Sequence, residues 1–251
     1  MHAALGLAQS VTVEFFIATP MLRAMEMEIT LPDELPVMTL PNVAFFPQAL
    51  LPLHIFEPRY RQMLKEVLAT NRLFAVTGLD PKLAEQPGQF EPPYRVASVG
   101  IVRACQKNGN GTSNLLLQGL CRIEFLEIVA DRPFRRVRVR ALASQPVADP
   151  DGNVRLRREL ARLIALKQKF GAPVPAEMAD FLRTVEDPEV FIDLAAFSLC
   201  ENRALKQRLL ETLDVRRRLE LFAHQLRGEI EALRLQRKLQ GGLPDDRVSN
   251  N

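Results

Sequence analysis

Any chemistry in this 251-residue chain would have to be built from three histidines, three cysteines and six serines. None of Ser10, Ser98, Ser113, Ser144, Ser198 or Ser249 stands in a G-x-S-x-G elbow, and spacing pairs no serine with a histidine base. A G-x-x-x-x-G-K-[ST] phosphate loop does not occur. Gly109-Asn110-Gly111-Thr112-Ser113 is glycine-rich, but no lysine or helix start follows to complete a phosphate cradle. Cys105, Cys121 and Cys200 lie too far apart for a metal or redox motif and read as buried free thiols of a reducing compartment. The expectation is therefore no catalytic residue, no metal, no cofactor, and a cytoplasmic location.

Two stretches remain as candidate binding residues. The first is Leu40-Pro41-Asn42-Val43-Ala44-Phe45-Phe46-Pro47, running on to Arg61. It is too punctuated by proline for a helix and too apolar for a linker, so it must be buried against something. Phe45, Phe46, Leu51 and Phe56 are candidates to line an apolar groove, with His54, Glu57, Arg59 and Tyr60 as its polar rim. The competing reading gives His54 and Glu57 a structural role where strand meets helix, with Arg59 paired to a carboxylate. The second stretch is the basic run Arg135, Arg136, Arg138 and Arg140, a candidate patch for RNA or an acidic partner. It lacks interleaved aromatics for base stacking, and the whole chain has no tryptophan and two tyrosines. The Arg216-Arg217-Arg218 triplet is read in the same way, as a solvated face or an acidic-partner contact.

The elements that must position these residues fall into two regimes. Hydrophobic residues make up 47% and charged ones 25%, ordinary for a globular protein, and a net charge of +3 is too small to argue for nucleic acid. No stretch approaches the roughly 20 apolar residues of a membrane span. Residues 1–34 read as a weakly ordered extension, with Met21, Met25 and Met27 as alternative starts. Residues 35–143 read as a β-rich lobe with strands at 50–55, 73–77, 98–103, 113–118, 121–127 and 134–142. One helix interrupts them at 57–69, where Tyr60, Met63, Leu64, Val67 and Leu68 make an apolar face. Asn108-Gly109-Asn110-Gly111 predicts a hairpin turn. A Pro/Asp/Gly joint over 144–153 leads to a helical lobe, 153–240, with helices at 154–170, 175–185, 188–200, 203–210 and 215–240. Asp187-Pro188 and Asp214 supply helix starts, Gly171 a stop, and residues 241–251 a disordered tail.

Three anchors in this order resemble the N-terminal substrate-binding domain of Lon proteases. They are the Leu40–Arg61 stretch, Leu115-Leu116-Leu117-Gln118-Gly119-Leu120-Cys121-Arg122-Ile123, and the start and close of the last helix, Leu209–Leu219 and Ile230–Lys238. The resemblance covers residues 35–240 and implies an α+β fold, a PUA-like pseudo-barrel lobe followed by a helical bundle ending in a long helix. It also implies a non-catalytic module that binds polypeptide clients or a partner protein, as a quality-control adaptor. An RNA-binding PUA-like module and an accessory subunit of a peptidase are the alternatives. The departure expected from the family is a stand-alone form without the ATPase and Ser-Lys peptidase regions, in keeping with the missing phosphate-loop motif. Gln48 stands where the family usually has glycine, which is expected to alter a turn.

Overall fold

The computed structural model describes residues 30–86, 90–171 and 174–241; the expected extension before residue 30 and the tail beyond 241 lie outside them. The strands are β1 (Glu34–Leu40), β2 (Leu50–Ile55), β3 (Leu73–Gly78), β4 (Val96–Lys107), β5 (Ser113–Ala130) and β6 (Arg136–Leu142). They form one sheet in the order β2-β5-β4-β3-β1-β6, and a further β5–β6 pairing closes all but β2 into a barrel. β1 and β3 run parallel, which requires a crossover, and α1 (Pro58–Ala69) lies in it. Alternate residues fill the barrel, among them Leu35, Val37, Leu73, Ala75, Val99, Ile123, Phe125 and Val137.

Two expectations for the β lobe are corrected. The strands expected at 113–118 and 121–127 are one strand, β5, because the ladder with β4 continues past Gly119 through a register shift beside Val99 and Gly100. β1 was not foreseen as a strand; Pro36 obscures it, and its partners β3 and β6 are distant in sequence. Gln48 keeps the turn that glycine would make, with a φ of 64°, at a cost of about 1 kcal/mol for a left-handed residue. The 108–111 turn closes as expected, with Gly111 at φ 80° and its N–H on the Asn108 carbonyl at 3.0 Å.

The helices are α2 (Pro81–Ala84), a single turn, then α3 (Pro150–Lys169), α4 (Ala176–Thr184), α5 (Pro188–Leu199), α6 (Arg203–Glu211) and α7 (Val215–Gly241). Asp187 caps α5 by accepting from the N–H groups of Glu189 and Val190, and Pro188 occupies the first turn. α3 begins four residues earlier than 154 because Asp149-Pro150 repeats that device: the Asp149 carboxylate accepts from Gly152 N–H at 2.8 Å. The last helices do not form a separate core. One apolar cluster runs from Phe45, Phe46, Leu51 and Leu117 of the β lobe through Phe191, Ile192, Leu210, Leu219 and Phe222 of the helical lobe.

Candidate functional site

The stretch from Leu40 to Arg61 divides sharply between core and surface. Phe45 and Phe46 are fully buried, and Leu51 and Tyr60 are 5% exposed, so these four do not line a groove. The reason is a close approach of backbone. Gln48 N–H donates to the Gly119 carbonyl and Gly119 N–H to the Ala49 carbonyl, both at 2.9 Å, drawing the Phe-Phe-Pro corner down onto β5. A β-carbon on Gly119 would lie 2.1 Å from the Phe46 carbonyl oxygen, which accounts for the glycine in the second anchor. Burying each phenylalanine contributes roughly 1.5–3 kcal/mol. The Tyr60 hydroxyl donates to the Thr39 carbonyl at 3.2 Å, and burial pushes its pKa up.

The remaining candidates, His54, Phe56, Glu57 and Arg59, gather at the surface with two residues that sequence did not single out, Phe90 and Glu91. Phe56 is 56% exposed and stacks on the His54 ring at 6.0 Å, while His54 Nδ1 lies 2.6 Å from Asn114 Oδ1. Arg59 makes a fork to both Glu91 carboxylate oxygens, at 2.6 and 2.9 Å, and its Nε reaches Glu57 at 2.9 Å. The bond to Glu91 leads the effects that raise the Arg59 pKa, so the guanidinium stays charged. The same guanidinium lies 4.5 Å from the Tyr60 ring and 6.0 Å from the Phe90 ring. Glu91 sits at φ 44°, a strained position for a non-glycine residue, and Phe90 is 69% exposed. The pairing of Arg59 matches the structural reading, and Phe56 and Phe90 stand exposed near it in the chain or in space. The sequence signal for the missed pair is an aromatic set before Pro92-Pro93.

The basic strand is not a patch. Arg135 is 9% exposed and is corrected from an outward residue to a clamp: its guanidinium donates to the Glu91 and Phe90 carbonyls at 2.6 and 2.9 Å and to Asp131 at 2.7 Å. Arg135 and Arg59 thus hold the Phe90–Glu91 corner from two sides. Arg136 pairs with Glu66, Arg138 with Glu127 and Glu34, and Arg140 with Glu124. Each arginine of the run is matched by a carboxylate, so the net field over the strand is small.

A second polar assembly lies where the lobes meet. Arg122 of β5 extends between helices and makes bidentate bonds of 2.6 Å to Asp193 of α5, with its Nε on the Leu210 carbonyl at 3.0 Å. Arg218 of α7 reaches the same carboxylate at 2.5 Å and also Ser144 and Glu189, at 2.6 and 2.9 Å. Arg218 is fully buried, Asp193 1% exposed and Arg122 3% exposed. The expected solvated face of Arg216-Arg217-Arg218 is therefore wrong for Arg218, which carries no surface charge. Burial pushes the Glu189 pKa up, but bonds from Ser144 and Arg218 and the charges of Arg218 and Arg122 outweigh it and hold it below the usual carboxylate range. Beside this cluster lies a polar crevice of about 320 Å³, lined by Gln48, Cys121, Arg122, Ser144 and Glu189 among others. Burial pushes the Cys121 thiol up, away from reactivity. Cys105 and Cys121 are half-buried rather than buried, and Cys200 is buried; all three are free. The signal for the cluster was one aspartate inside the apolar run Phe191-Ile192-Asp193-Leu194-Ala195-Ala196.

Among the described residues no group of His, Cys, Asp and Glu is placed to hold a metal, and no helix is long and apolar enough to cross a membrane. Comparison with known proteins agrees with the anchors. The chain is 31% identical over 207 residues to the Lon protease of Heliobacterium modesticaldum, covering 82% of this chain and 25% of that protein. It is 25% identical to the Lon protease of Desulfosudis oleivorans, with 86% and 26% covered. The chain thus spans about a quarter of the length of these relatives. In structure it is similar to the N-terminal domain of a Mycobacterium avium complex Lon protease (TM-score 0.58, 15% identity, 79% of this chain and 98% of that one). A Lon N-terminal domain protein from Xanthomonas campestris is similar too (TM-score 0.54, 19% identity, 75% and 96% covered). The profile of the ATP-dependent protease La (LON) substrate-binding domain matches residues 34–227, and the chain belongs to that family.

Proposed function

We propose that this chain is a non-catalytic recognition module that binds polypeptide clients, as its family's substrate-binding name implies. The observation that carries this is the surface strip on which Phe56 and Phe90 stand exposed around the clamped Arg59. Unfolded proteins expose apolar and aromatic segments, and exposed phenylalanine rings, with few rotatable bonds, receive them at little entropic cost. Arg59 and Arg135 spend their hydrogen bonds holding Glu91 in a strained conformation, which presents Phe90 outward.

The pairing of Arg136, Arg138 and Arg140 with carboxylates weighs against the RNA-binding alternative. The test is binding to reduced, carboxymethylated α-lactalbumin against the native form. The unfolded form binds, and Phe56→Ser with Phe90→Ser weakens it by about tenfold. Equal binding of the double variant sinks the assignment of the strip. Degradation of casein by the pure protein, with or without ATP, sinks the non-catalytic reading.

A further inference from the structure

We propose that the free edge of β2 reads the main chain of an extended client segment by strand addition; this rests on the polypeptide-recognition reading above. The barrel closes without β2, which pairs on one side with β5 and, among the described residues, with no strand on the other. The phase of the ladder tells which groups face outward. Gly119 N–H donates to the Ala49 carbonyl, and the register then runs unbroken from Leu50↔Gln118 to Ile55↔Ser113. Antiparallel pairs alternate between bonded and unbonded. Ala49, Leu51, Leu53 and Ile55 therefore bond β5, while Leu50, Pro52 and His54 aim their main-chain groups away from it. Pro52 agrees with this phase, because proline is tolerated in a strand where its missing N–H faces the open side.

The outward row thus offers the N–H groups of Leu50 and His54 and the carbonyls of Leu50, Pro52 and His54. None of them has a hydrogen-bond partner among the described residues. Pro52 and His54 are exposed. Only another main chain, at strand spacing, satisfies such a row together. The row ends at Phe56, whose ring stacks on His54 on the same face, so the edge and the aromatic strip are one continuous surface.

The occupant is an extended polypeptide segment rather than a second copy of this chain. In a two-fold pairing that sets Leu50 against His54, Pro52 falls opposite itself and two carbonyls meet with no donor between them. A client strand brings its own N–H to the Pro52 carbonyl. Main-chain reading also makes recognition tolerant of client sequence, since every residue except proline carries the same donor and acceptor.

The test uses a fluorescein-labelled, lysine-flanked peptide of alternating Thr and Val, and the same peptide N-methylated throughout its repeat. Anisotropy is measured on the full chain, with each variant's melting curve confirming its fold. The parent peptide binds and the methylated one loses at least about tenfold, as expected when main-chain bonds are removed. His54→Pro, which deletes an outward donor, weakens binding by about tenfold, whereas His54→Ala, which keeps the amide, does so by less than about threefold. Pro52→Ala, which adds a donor, tightens it. Equal binding of parent and methylated peptides, or equal behaviour of His54→Pro and His54→Ala, overturns the strand-addition proposal and leaves client recognition standing. If the wild-type chain binds neither this peptide nor unfolded α-lactalbumin, both readings fall. A dimer in sedimentation that dissociates on His54→Pro, with no peptide effect, assigns the edge to a second copy and also overturns the proposal.

Discussion

Replacing Asp193 by asparagine tests the junction of the lobes most directly. Its carboxylate is 1% exposed and takes two bonds from Arg122, at 2.6 Å each, and one from Arg218 at 2.5 Å. Asparagine has nearly the same shape but a single oxygen, and its amide nitrogen would point donors at a guanidinium. Two buried positive charges are left short of a counter-charge, and breaking such a pair costs about 3–5 kcal/mol. Glu189 returns part of this, because its Oε1 lies 2.9 Å from Arg218 and 3.9 Å from Arg122. The lower end, about 3 kcal/mol, is therefore expected. At about 2–4 °C of melting temperature per kcal/mol for a chain of this size, Asp193→Asn should melt roughly 6–12 °C below wild type. Urea unfolding followed by circular dichroism gives the free energy, and a thermal scan gives the shift. A companion variant carrying Arg122→Met, Asp193→Leu and Arg218→Met removes the three buried charges together, leaving the part-exposed Glu189 to Ser144 and solvent, and should recover to within about 1 kcal/mol of wild type. A loss below about 1 kcal/mol for Asp193→Asn, or a companion variant no more stable than it, refutes the reasoning.

Gly119→Ala places a β-carbon 2.1 Å from the Phe46 carbonyl and should cost about 1–3 kcal/mol in urea unfolding. Gly228→Ala on α7 meets nothing within 4 Å and should gain about 1 kcal/mol. Burial raises the Cys200 thiol from 9.0 to about 11 in the folded chain, so its contribution to stability is whole below pH 9.0 and is lost as pH rises toward 11. Stability measured across that window should fall less steeply for Cys200→Ala than for wild type. The chain should pass through a heparin column at moderate salt without retention, because Arg136, Arg138 and Arg140 are neutralised in place; strong retention that Arg138→Glu abolishes contradicts this.

What sequence made legible follows the range of the forces involved. Helix starts such as Asp187-Pro188, the Gly171 stop and the Asn-Gly hairpin depend on residues within a few positions, and they appear where their chemistry predicts. The strand content was readable, but not the continuity of β5, because Gly119-Leu120 looks like a break until β4 is set beside it. The candidate site was half legible. Phe45 and Phe56 are alike in sequence, and only the descent of the 44–49 corner onto Gly119 makes one of them core and leaves the other in solvent. Charge pairing was the least visible layer. Arg122 and Asp193 are 71 residues apart, and nothing local distinguishes them from surface residues. The alternation of Arg136, Val137, Arg138 and Val139 gave the faces of β6 correctly, yet it could not reveal the carboxylates that wait opposite.

Arg122 has one more consequence. Because a side chain of the barrel is bonded to α5 and α6 and one apolar cluster crosses the junction, the covalent link from Leu142 to Pro150 should be dispensable once the chain has folded. A protease that nicks the exposed Gln145–Val147 segment would cut the chain without parting the lobes. The two fragments should co-elute as one particle and reassemble when mixed, so a band pattern on a denaturing gel would overstate the damage. The seam is joined by the apolar cluster that crosses it and by the Arg122–Asp193–Arg218 contacts, so it does not depend on the connecting peptide alone.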